Sequence, residues 1–245
     1  MSTQRPDSRR DVFLPVECVP AHDDSGVASR PTSRRRGPRG DVDTRTVIID
    51  TAERMFAEAS IDSVSMRAVA RETGVAPRAV VHHFPTKGDL IAAVVQRRSR
   101  PIAEATSHRL RVLVDTANQV HVREVVEAVV MPYVEMLDAE PVSGLHWMRL
   151  FSQLALNDHE IWLDELGTDP SLTDLFVAAA SRAIPGLQTY EVRLRAGIAM
   201  FSMTAALASA DRPAYGRPLS PDGLDRRWLN QLIEFTSGGM RGITD

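Results

Sequence analysis

The chain has 245 residues, of which 43% are hydrophobic and 25% charged, so it contains enough apolar material for a folded core. A single cysteine, Cys18, excludes an internal disulfide framework and a zinc site built from cysteines. The longest uncharged apolar run, Ala196 to Ala210, is shorter than the roughly 20 residues that span a bilayer. The first residues also lack the sustained apolar stretch of a secretory signal. These features predict a cytoplasmic protein that has no contact with a membrane.

The charge is divided unevenly along the sequence. Residues 1–98 carry a net charge of +3, and residues 99–245 carry a net charge of −6. This asymmetry favours a module that binds a polyanion, followed by a module with a different purpose.

Residues 1–40 have five prolines and no apolar period, which predicts a disordered arm. The arm ends in a basic run that contains Arg34, Arg35, Arg36 and Arg39. Such a run either lies against DNA, along the phosphates or in a minor groove, or is a solvated tail.

The remainder of the chain is predicted to be helical, because apolar residues recur at helical spacing and no alternating strand pattern is present. The first helix is expected to begin at a cap formed by Asp43 or Thr44 and to end near Ser60. Beyond the head, the expected helices are 87–100, 102–115, 123–139, 142–156, 159–166, 171–184, 189–209 and 222–237. Pro101 and Pro132 are expected to break or kink their segments.

Two short helices between residues 65 and 83 have the spacing of a helix-turn-helix. Ser65 is a good N-cap for the first of them, and Gly74 tolerates the left-handed conformation that ends it. Pro77 suits the first position of the second helix, which runs to His83, and Thr86 with Asp89 forms a capping box for the next. In such a motif the second helix enters the major groove of DNA. An ordinary helical hairpin is the alternative on these residues alone.

Flanking residues strengthen the interpretation. The stretch from Thr44 to Leu90 resembles the DNA-binding head of the TetR family of bacterial transcription regulators, through AERMFAE, SVSMRAVARETGVA and HHFPTKGDL. The resemblance implies an all-α homodimer with a helix-turn-helix head at 41–90 and a helical domain at 91–245 that binds a small effector and supplies the dimer contact. It also implies repression of a nearby gene or of the protein's own gene.

The candidate DNA-binding residues follow from position and chemistry. Ser65 and Arg67 are placed to meet phosphate, His83 and Lys87 match family positions that touch phosphate, and Arg45 adds a contact from helix one. The exposed positions of the recognition helix are expected to be Pro77, Arg78, Ala79 and His82. Arg78 is the best candidate for reading a base, because a guanidinium pairs bidentately with guanine.

The sequence departs from the family pattern at three positions in or beside the recognition helix. Val81 stands where the family usually has an aromatic residue, Ala76 where it has a small hydroxyl residue, and Arg78 where it has glycine or another small residue. These differences affect the expected operator sequence and affinity rather than the fold.

The C-terminal part offers candidates for a dimer contact and for an effector pocket. Helices 171–184 and 189–209 carry small residues that allow close helix approach, and the resemblance favours them as the dimer contact. The candidate pocket residues are methionines and aromatics, which line adaptable cavities but also fill ordinary cores: Met131, Tyr133, Trp147, Met148, Phe151, Phe176, Phe201 and Met203.

The leading hypothesis is a repressor that binds a double-stranded DNA operator and releases it on binding a small hydrophobic or aromatic ligand. The alternatives are an activator or ligand-independent regulator of the same fold, and a ligand-binding protein without DNA binding. No catalytic motif is found, so we expect neither an enzyme nor a cofactor. We expect no metal at His82 and His83, because adjacent helical residues point to different sides.

Overall fold

The computed structural model describes residues 38–157 and 170–242 of the protein, and these residues are almost entirely helical. Their helices are α1 Pro38–Glu58, α2 Met66–Thr73, α3 Pro77–His83, α4 Lys87–Asp115, α5 Val122–Ala139, α6 Pro141–Leu156, α7 Pro170–Ala183, α8 Thr189–Leu207 and α9 Arg226–Arg241. The predicted all-α class is therefore confirmed. The helix predicted at 159–166 lies outside the described residues, as does the predicted arm up to residue 37.

The head consists of α1, α2 and α3 with the beginning of α4. Its core is built from one apolar face of each helix, and the buried side chains are Ile48, Ala52, Phe56, Val69, Ala70, Val80, Phe84 and Leu90. A 3-10 turn at Ile61–Ser63 joins α1 to α2. Helix α1 begins at Pro38, so the predicted caps Asp43 and Thr44 are wrong and lie inside the helix.

Local signals set the ends of the short helices as predicted. The Ser65 hydroxyl oxygen accepts a hydrogen bond from the Ala68 amide at 3.1 Å and caps α2. Gly74 ends α2 with φ at 70°, a left-handed conformation that costs other residues energy. At the start of α4, Thr86 and Asp89 form a reciprocal capping box.

Helix α4 is continuous through Pro101, so the predicted break at that residue is wrong. A proline removes one backbone hydrogen bond, but the apolar residues around it hold the helix together by packing. Val94, Val95, Ile102 and Leu110 of α4 are all buried. Pro132 likewise lies inside the uninterrupted α5 and is itself buried.

The C-terminal body packs α4 against α5 and α7, and α8 against α9 and α6. Trp147 of α6 is fully buried and donates its indole N–H to the Val95 carbonyl of α4 at 3.1 Å. Before α9, a 3-10 turn at Pro213–Tyr215 leads to an antiparallel pair of two-residue strands, β1 Leu219–Ser220 and β2 Gly223–Leu224. This pair was not predicted, and it delays the start of the last helix from the expected residue 222 to Arg226.

Candidate DNA interface and ligand cavity

Helix α3 presents most of its predicted reading positions to solvent. Pro77, Arg78 and His82 are exposed, whereas Val80 on the opposite face is fully buried and anchors the helix to the head. Ala79 is half-buried, which corrects its prediction as an exposed position: its place on the helix turns it toward the core. The Arg78 guanidinium has no ion pair or hydrogen bond with any residue that the structure describes. It is therefore available to an external acceptor.

The start of α2 carries two of the predicted phosphate contacts. Ser65 and Arg67 are both exposed. The Ser65 oxygen accepts the Ala68 amide as a cap, but its hydroxyl hydrogen remains available for donation to another acceptor. Capping and phosphate contact are thus compatible at this residue.

The other predicted phosphate contacts are partly engaged within the head. The Lys87 ammonium donates to the Asp62 carbonyl at 3.4 Å, and the side chain is half-buried. The Arg45 guanidinium lies 5.2 Å from the centre of the Phe84 ring, a cation–π geometry that holds it against the head. His83 is half-buried beside Phe84. Of the predicted basic arm, Arg34, Arg35 and Arg36 lie outside the described residues, and only the backbone of Arg39 is described, in α1.

A buried carboxylate joins the head to the body. Glu53 of α1 is 2% exposed and accepts hydrogen bonds from Arg97 at 2.6 Å and from Arg98 at 3.4 Å, both on α4. Arg98 continues the network by donating to Glu140 at 2.8 Å. Asp50 also pairs with Arg97. The network therefore fixes α1 against α4 and against the start of α6.

Two pKa values report the balance of burial and charge in this network. Burial lowers the pKa of Arg97, but hydrogen bonds and charges from Asp50 and Glu53 oppose it and leave this pKa above its ordinary value. The hydrogen bond from Arg98, aided by that from Ser143, holds the pKa of Glu140 below its ordinary value. Both groups therefore keep their charges at neutral pH.

A cavity of about 700 Å³ lies in the body, between α4, α5, α6, α7 and α8. Five of the predicted pocket residues line it: Tyr133, Trp147, Phe151, Phe176 and Phe201. Met131, Met148 and Met203 do not line it, which corrects their assignment. Met148 and Met203 are buried in the core, and Met131 packs against the core from its edge.

One wall of the cavity is aromatic. The rings of Trp147 and Phe151 stack with their centres 4.7 Å apart and their planes 17° apart. Tyr133 lies 6.4 Å from the Trp147 ring and 6.3 Å from the Phe151 ring. Burial raises the pKa of Tyr133 to about 12, so its phenol stays neutral and able to donate a hydrogen bond. This wall suits a flat or ring-containing apolar ligand.

Sequence reasoning missed the contribution of α4, which lines the cavity along more than four turns. Its lining residues are Gln96, Ser99, Arg100, Ile102, Ala103, Glu104, Thr106, Ser107, Leu110 and Arg111. The sequence shows the helical spacing of the apolar residues in this segment, but the predicted break at Pro101 divided that pattern between two separate helices. Gln96 and Arg100 also line a second cavity, of about 690 Å³, together with Arg45 and His83 of the head.

The paired helices α2 and α3, with the second exposed on a three-helix head, define a helix-turn-helix DNA-binding protein. A family model described as "Bacterial regulatory proteins, tetR family" matches residues 48–94. A second, described as "Tetracyclin repressor-like, C-terminal domain", matches residues 127–239. The chain belongs to the TetR family of transcriptional regulators, which confirms the resemblance found in its sequence.

Individual relatives match parts of the chain. It is 36% identical over 61 residues to the HTH-type transcriptional regulator UidR of Escherichia coli, which covers 24% of this chain and 31% of UidR. It is 25% identical over 150 residues to the HTH-type transcriptional repressor KstR2 of Rhodococcus jostii, which covers 61% of this chain and 64% of KstR2. The matches thus span less than two thirds of the length of either relative.

Among solved structures, the fatty acid degradation regulator FadR from Bacillus halodurans is similar in fold, with a TM-score of 0.57 at 16% identity. The match covers 85% of this chain and 99% of FadR. Within residues 38–157 and 170–242, no group of three or more metal-ligating side chains comes together. No helix in the same ranges has both the length and the apolarity needed to cross a bilayer.

Proposed function

We propose that the protein is a homodimeric repressor that binds a double-stranded DNA operator and releases it when a small apolar or aromatic effector enters the body cavity. The observation that carries this proposal is the continuity of α4, which begins in the head at Lys87 and lines the cavity from Gln96 to Arg111. A ligand that moves the middle of this helix also moves the head to which the helix belongs. The word repressor in the name of the relative KstR2 supports the direction of control.

The DNA contacts are proposed from exposure and chemistry. Arg78 reads a guanine, because its guanidinium is exposed and able to donate two parallel hydrogen bonds to the major-groove edge of that base. Pro77 and His82 flank it on the same helix and contact neighbouring bases. Ser65, Arg67, Arg45, His83 and Lys87 meet the phosphates on either side, and these contacts orient the head without reading sequence.

The dimer contact is proposed on the exposed faces of α8 and α9. Tyr190, Leu194 and Ile198 of α8 are 71%, 63% and 60% exposed and follow one another at a spacing of four residues. Phe235 of α9 is 77% exposed. Such an apolar stripe on two adjacent helices matches a two-fold interface in which the same surface of both subunits is buried. The exposed residues of α7 are polar or small, so α9 is favoured over α7 as the helix that joins α8 in the dimer contact.

The response to the effector is proposed as a population shift. In the DNA-bound dimer the two α3 helices must match successive major grooves, about 34–36 Å apart. A ligand that binds better to a different arrangement of α4 favours dimers in which that spacing is lost. The effector therefore lowers affinity for the operator without touching the DNA-binding residues.

The test of this function combines binding and transcription. Mobility shifts with the intergenic DNA upstream of the gene should show specific binding that weakens as salt rises, because Arg and Lys contacts displace counterions from the phosphates. Deleting the gene should raise transcription from the same region. A fall in transcription would indicate an activator, and an absence of specific or salt-sensitive binding at low ionic strength would overturn the regulator assignment.

A matched pair of variants tests the residue assignments. Arg78→Ala should relax the preference at one base pair in each half-site by about 1–3 kcal/mol, whereas Lys87→Ala should weaken all sequences alike and reduce the salt slope by about 1. The measurement is titration of a panel of single-base operator variants at several salt concentrations. Equal, sequence-independent losses for both variants would remove Arg78 from the base-reading set.

A further inference from the structure

Two hydroxyl groups on the cavity wall have no hydrogen-bond partner in the part of the chain that the structure describes. Thr106 and Ser107 of α4 are 4% and 3% exposed, and both line the cavity. Neither Thr106 Oγ1 nor Ser107 Oγ has a hydrogen-bond partner among the described residues. A buried polar group without a partner is costly, and each such group in a native fold calls for an explanation.

The chain handles a comparable hydroxyl differently elsewhere. Thr73, near the end of α2, donates its hydroxyl to the backbone carbonyls of Val69 at 2.9 Å and Ala70 at 3.0 Å. This is the usual solution for a threonine inside a helix. Thr106 and Ser107 do not adopt it. Thr236 and Ser237 of α9 are also buried without a partner among the described residues, but they do not line this cavity. Of these hydroxyls, those of Thr106 and Ser107 are therefore the ones that a molecule inside the cavity can reach.

Other polar groups around the cavity favour an acceptor as that molecule's polar part. Arg100 and Arg111 line the cavity while exposed to solvent, and they have no ion pair with any residue in the described ranges, whereas Arg193 is paired with Asp174 at 3.2 Å. Among the described residues, Glu104 is the one carboxylate in the lining. The lining is therefore rich in donors and carries an excess of positive charge, which attracts oxygen atoms with partial or full negative charge.

We propose that the effector is an amphipathic molecule with a ring-containing apolar body and a carbonyl or carboxylate oxygen that accepts hydrogen bonds from Thr106 and Ser107. The inference rests on the proposed function of this cavity as the effector site. The aromatic wall receives the rings, and the two hydroxyls on α4 receive the oxygen. The polar contact is thus made to the helix that also begins in the head.

The experiment uses the full chain and the dye 8-anilinonaphthalene-1-sulfonate, displaced by three naphthalene probes of similar shape. The probes are 2-acetylnaphthalene, which has a ketone, 2-naphthoic acid, which has a carboxylate, and 2-isopropylnaphthalene, which has no acceptor. The Kd of the ketone or of the acid, obtained from displacement of the dye, should be about three- to tenfold lower than that of the hydrocarbon, as expected for one or two neutral hydrogen bonds. Whichever of the ketone and the acid binds more tightly shows whether the effector oxygen belongs to a carbonyl or to a carboxylate.

Variants assign the difference to the two hydroxyls. Thr106→Val and Ser107→Ala should each reduce the advantage of the oxygen-bearing probe about threefold and leave the affinity of the hydrocarbon unchanged. Thr173→Val removes an exposed hydroxyl from the same cavity lining and should change neither affinity. Because no described residue forms a hydrogen bond with the Thr106 hydroxyl, Thr106→Val should also raise the melting temperature of the protein, measured without added ligand, by about 2–4 °C.

Failure of this inference differs from failure of the proposed function. Equal affinities for the ketone, the acid and the hydrocarbon, with no effect of Thr106→Val or Ser107→Ala, would refute the acceptor and leave the cavity as a binding site for apolar molecules. Failure of every probe to displace the dye would refute both the acceptor oxygen and the proposed role of the cavity as the effector site. A lower melting temperature for Thr106→Val would show that its hydroxyl is a structural hydrogen-bonding group, which also overturns the inference.

Discussion

Replacing Glu53 by alanine tests whether its carboxylate holds the head on the body. Glu53 is 2% exposed, and its partners Arg97 and Arg98 have side chains that are 27% and 11% exposed. Breaking a buried ion pair by removing one partner usually costs about 3–5 kcal/mol, because the remaining charge is left buried and unpaired. Here Arg97 keeps Asp50 and Arg98 keeps Glu140, so we expect a loss near the lower end, about 3 kcal/mol.

The matched control is Glu58→Ala, in the same helix. Glu58 pairs with Arg54 at 3.2 Å, but their side chains are 54% and 40% exposed, and Arg54 also pairs with Glu72 at 2.5 Å. Exposed pairs contribute about 0–1 kcal/mol. The two substitutions remove the same atoms from glutamates five residues apart in α1, although Glu58 is the last residue of that helix. Helix propensity changes either stability by less than about 1 kcal/mol, so a larger difference between the variants reflects burial and partners.

The assay is urea unfolding followed by circular dichroism, supported by thermal melts. For a chain of this size, about 3 kcal/mol corresponds to a fall in melting temperature of about 6–12 °C, whereas Glu58→Ala should shift it by no more than about 4 °C. Operator affinity measured well below the melting temperature should also fall for Glu53→Ala, because α1 and α4 lose the contact that sets the head. Equal stabilities for the two variants would refute the reasoning that this network anchors the head.

Three further predictions concern a turn, a histidine and the dimer contact. Gly74→Val should destabilise the protein by about 1–2 kcal/mol in urea unfolding, because φ is 70° at that residue; a neutral result would contradict the need for glycine there. Burial lowers the pKa of His146 below its ordinary 6.5, so the stability that the neutral imidazole contributes is complete above pH 6.5 and is lost as the pH falls below it. The melting temperature of His146→Gln should therefore depend less on pH between 7 and 5 than that of the unaltered protein. An unchanged pH dependence of the melting temperature would exclude this residue as its source. Ile198→Asp should yield monomers in sedimentation velocity, whereas Val112→Asp, at a similarly exposed valine of α4, should not. A dimeric Ile198→Asp variant would show that the dimer contact lies on another surface.

The ends of the head helices were predictable because their causes are local. Ser65, Gly74 and Thr86 act within a few residues of themselves, through a cap, a left-handed turn and a capping box. The order of such signals along the chain was sufficient to place α2 and α3 correctly. The same locality explains why the start of α1 was wrong: Asp43 and Thr44 are suitable caps, but Pro38 also suits a first helical position and lies farther upstream.

The cavity was less predictable because side-chain direction depends on packing between helices. Aromatic composition identified Tyr133, Trp147 and Phe151, yet Met148, between two of these in sequence, points into the core instead. The helical period alone does not say which of several apolar faces a neighbouring helix covers. The predicted break at Pro101 had a larger effect, since it concealed the helix that supplies the polar part of the lining.

The position of Gln96 and Arg100 gives the proposed ligand response a definite route. Both residues line the body cavity, and both line the cavity beside Arg45 and His83 in the head, so the two spaces share one wall formed by a single turn of α4. A ligand that moves this turn changes the volume of both spaces at once, because a helical turn is too stiff for its two faces to move independently. The Glu53 network lies next to this turn, at Arg97 and Arg98, and resists such a movement. The head changes position only when the free energy gained by ligand binding exceeds the stabilisation that the Glu53 network gives to the original position. Glu53→Ala removes that stabilisation, so this variant should release DNA at a lower ligand concentration.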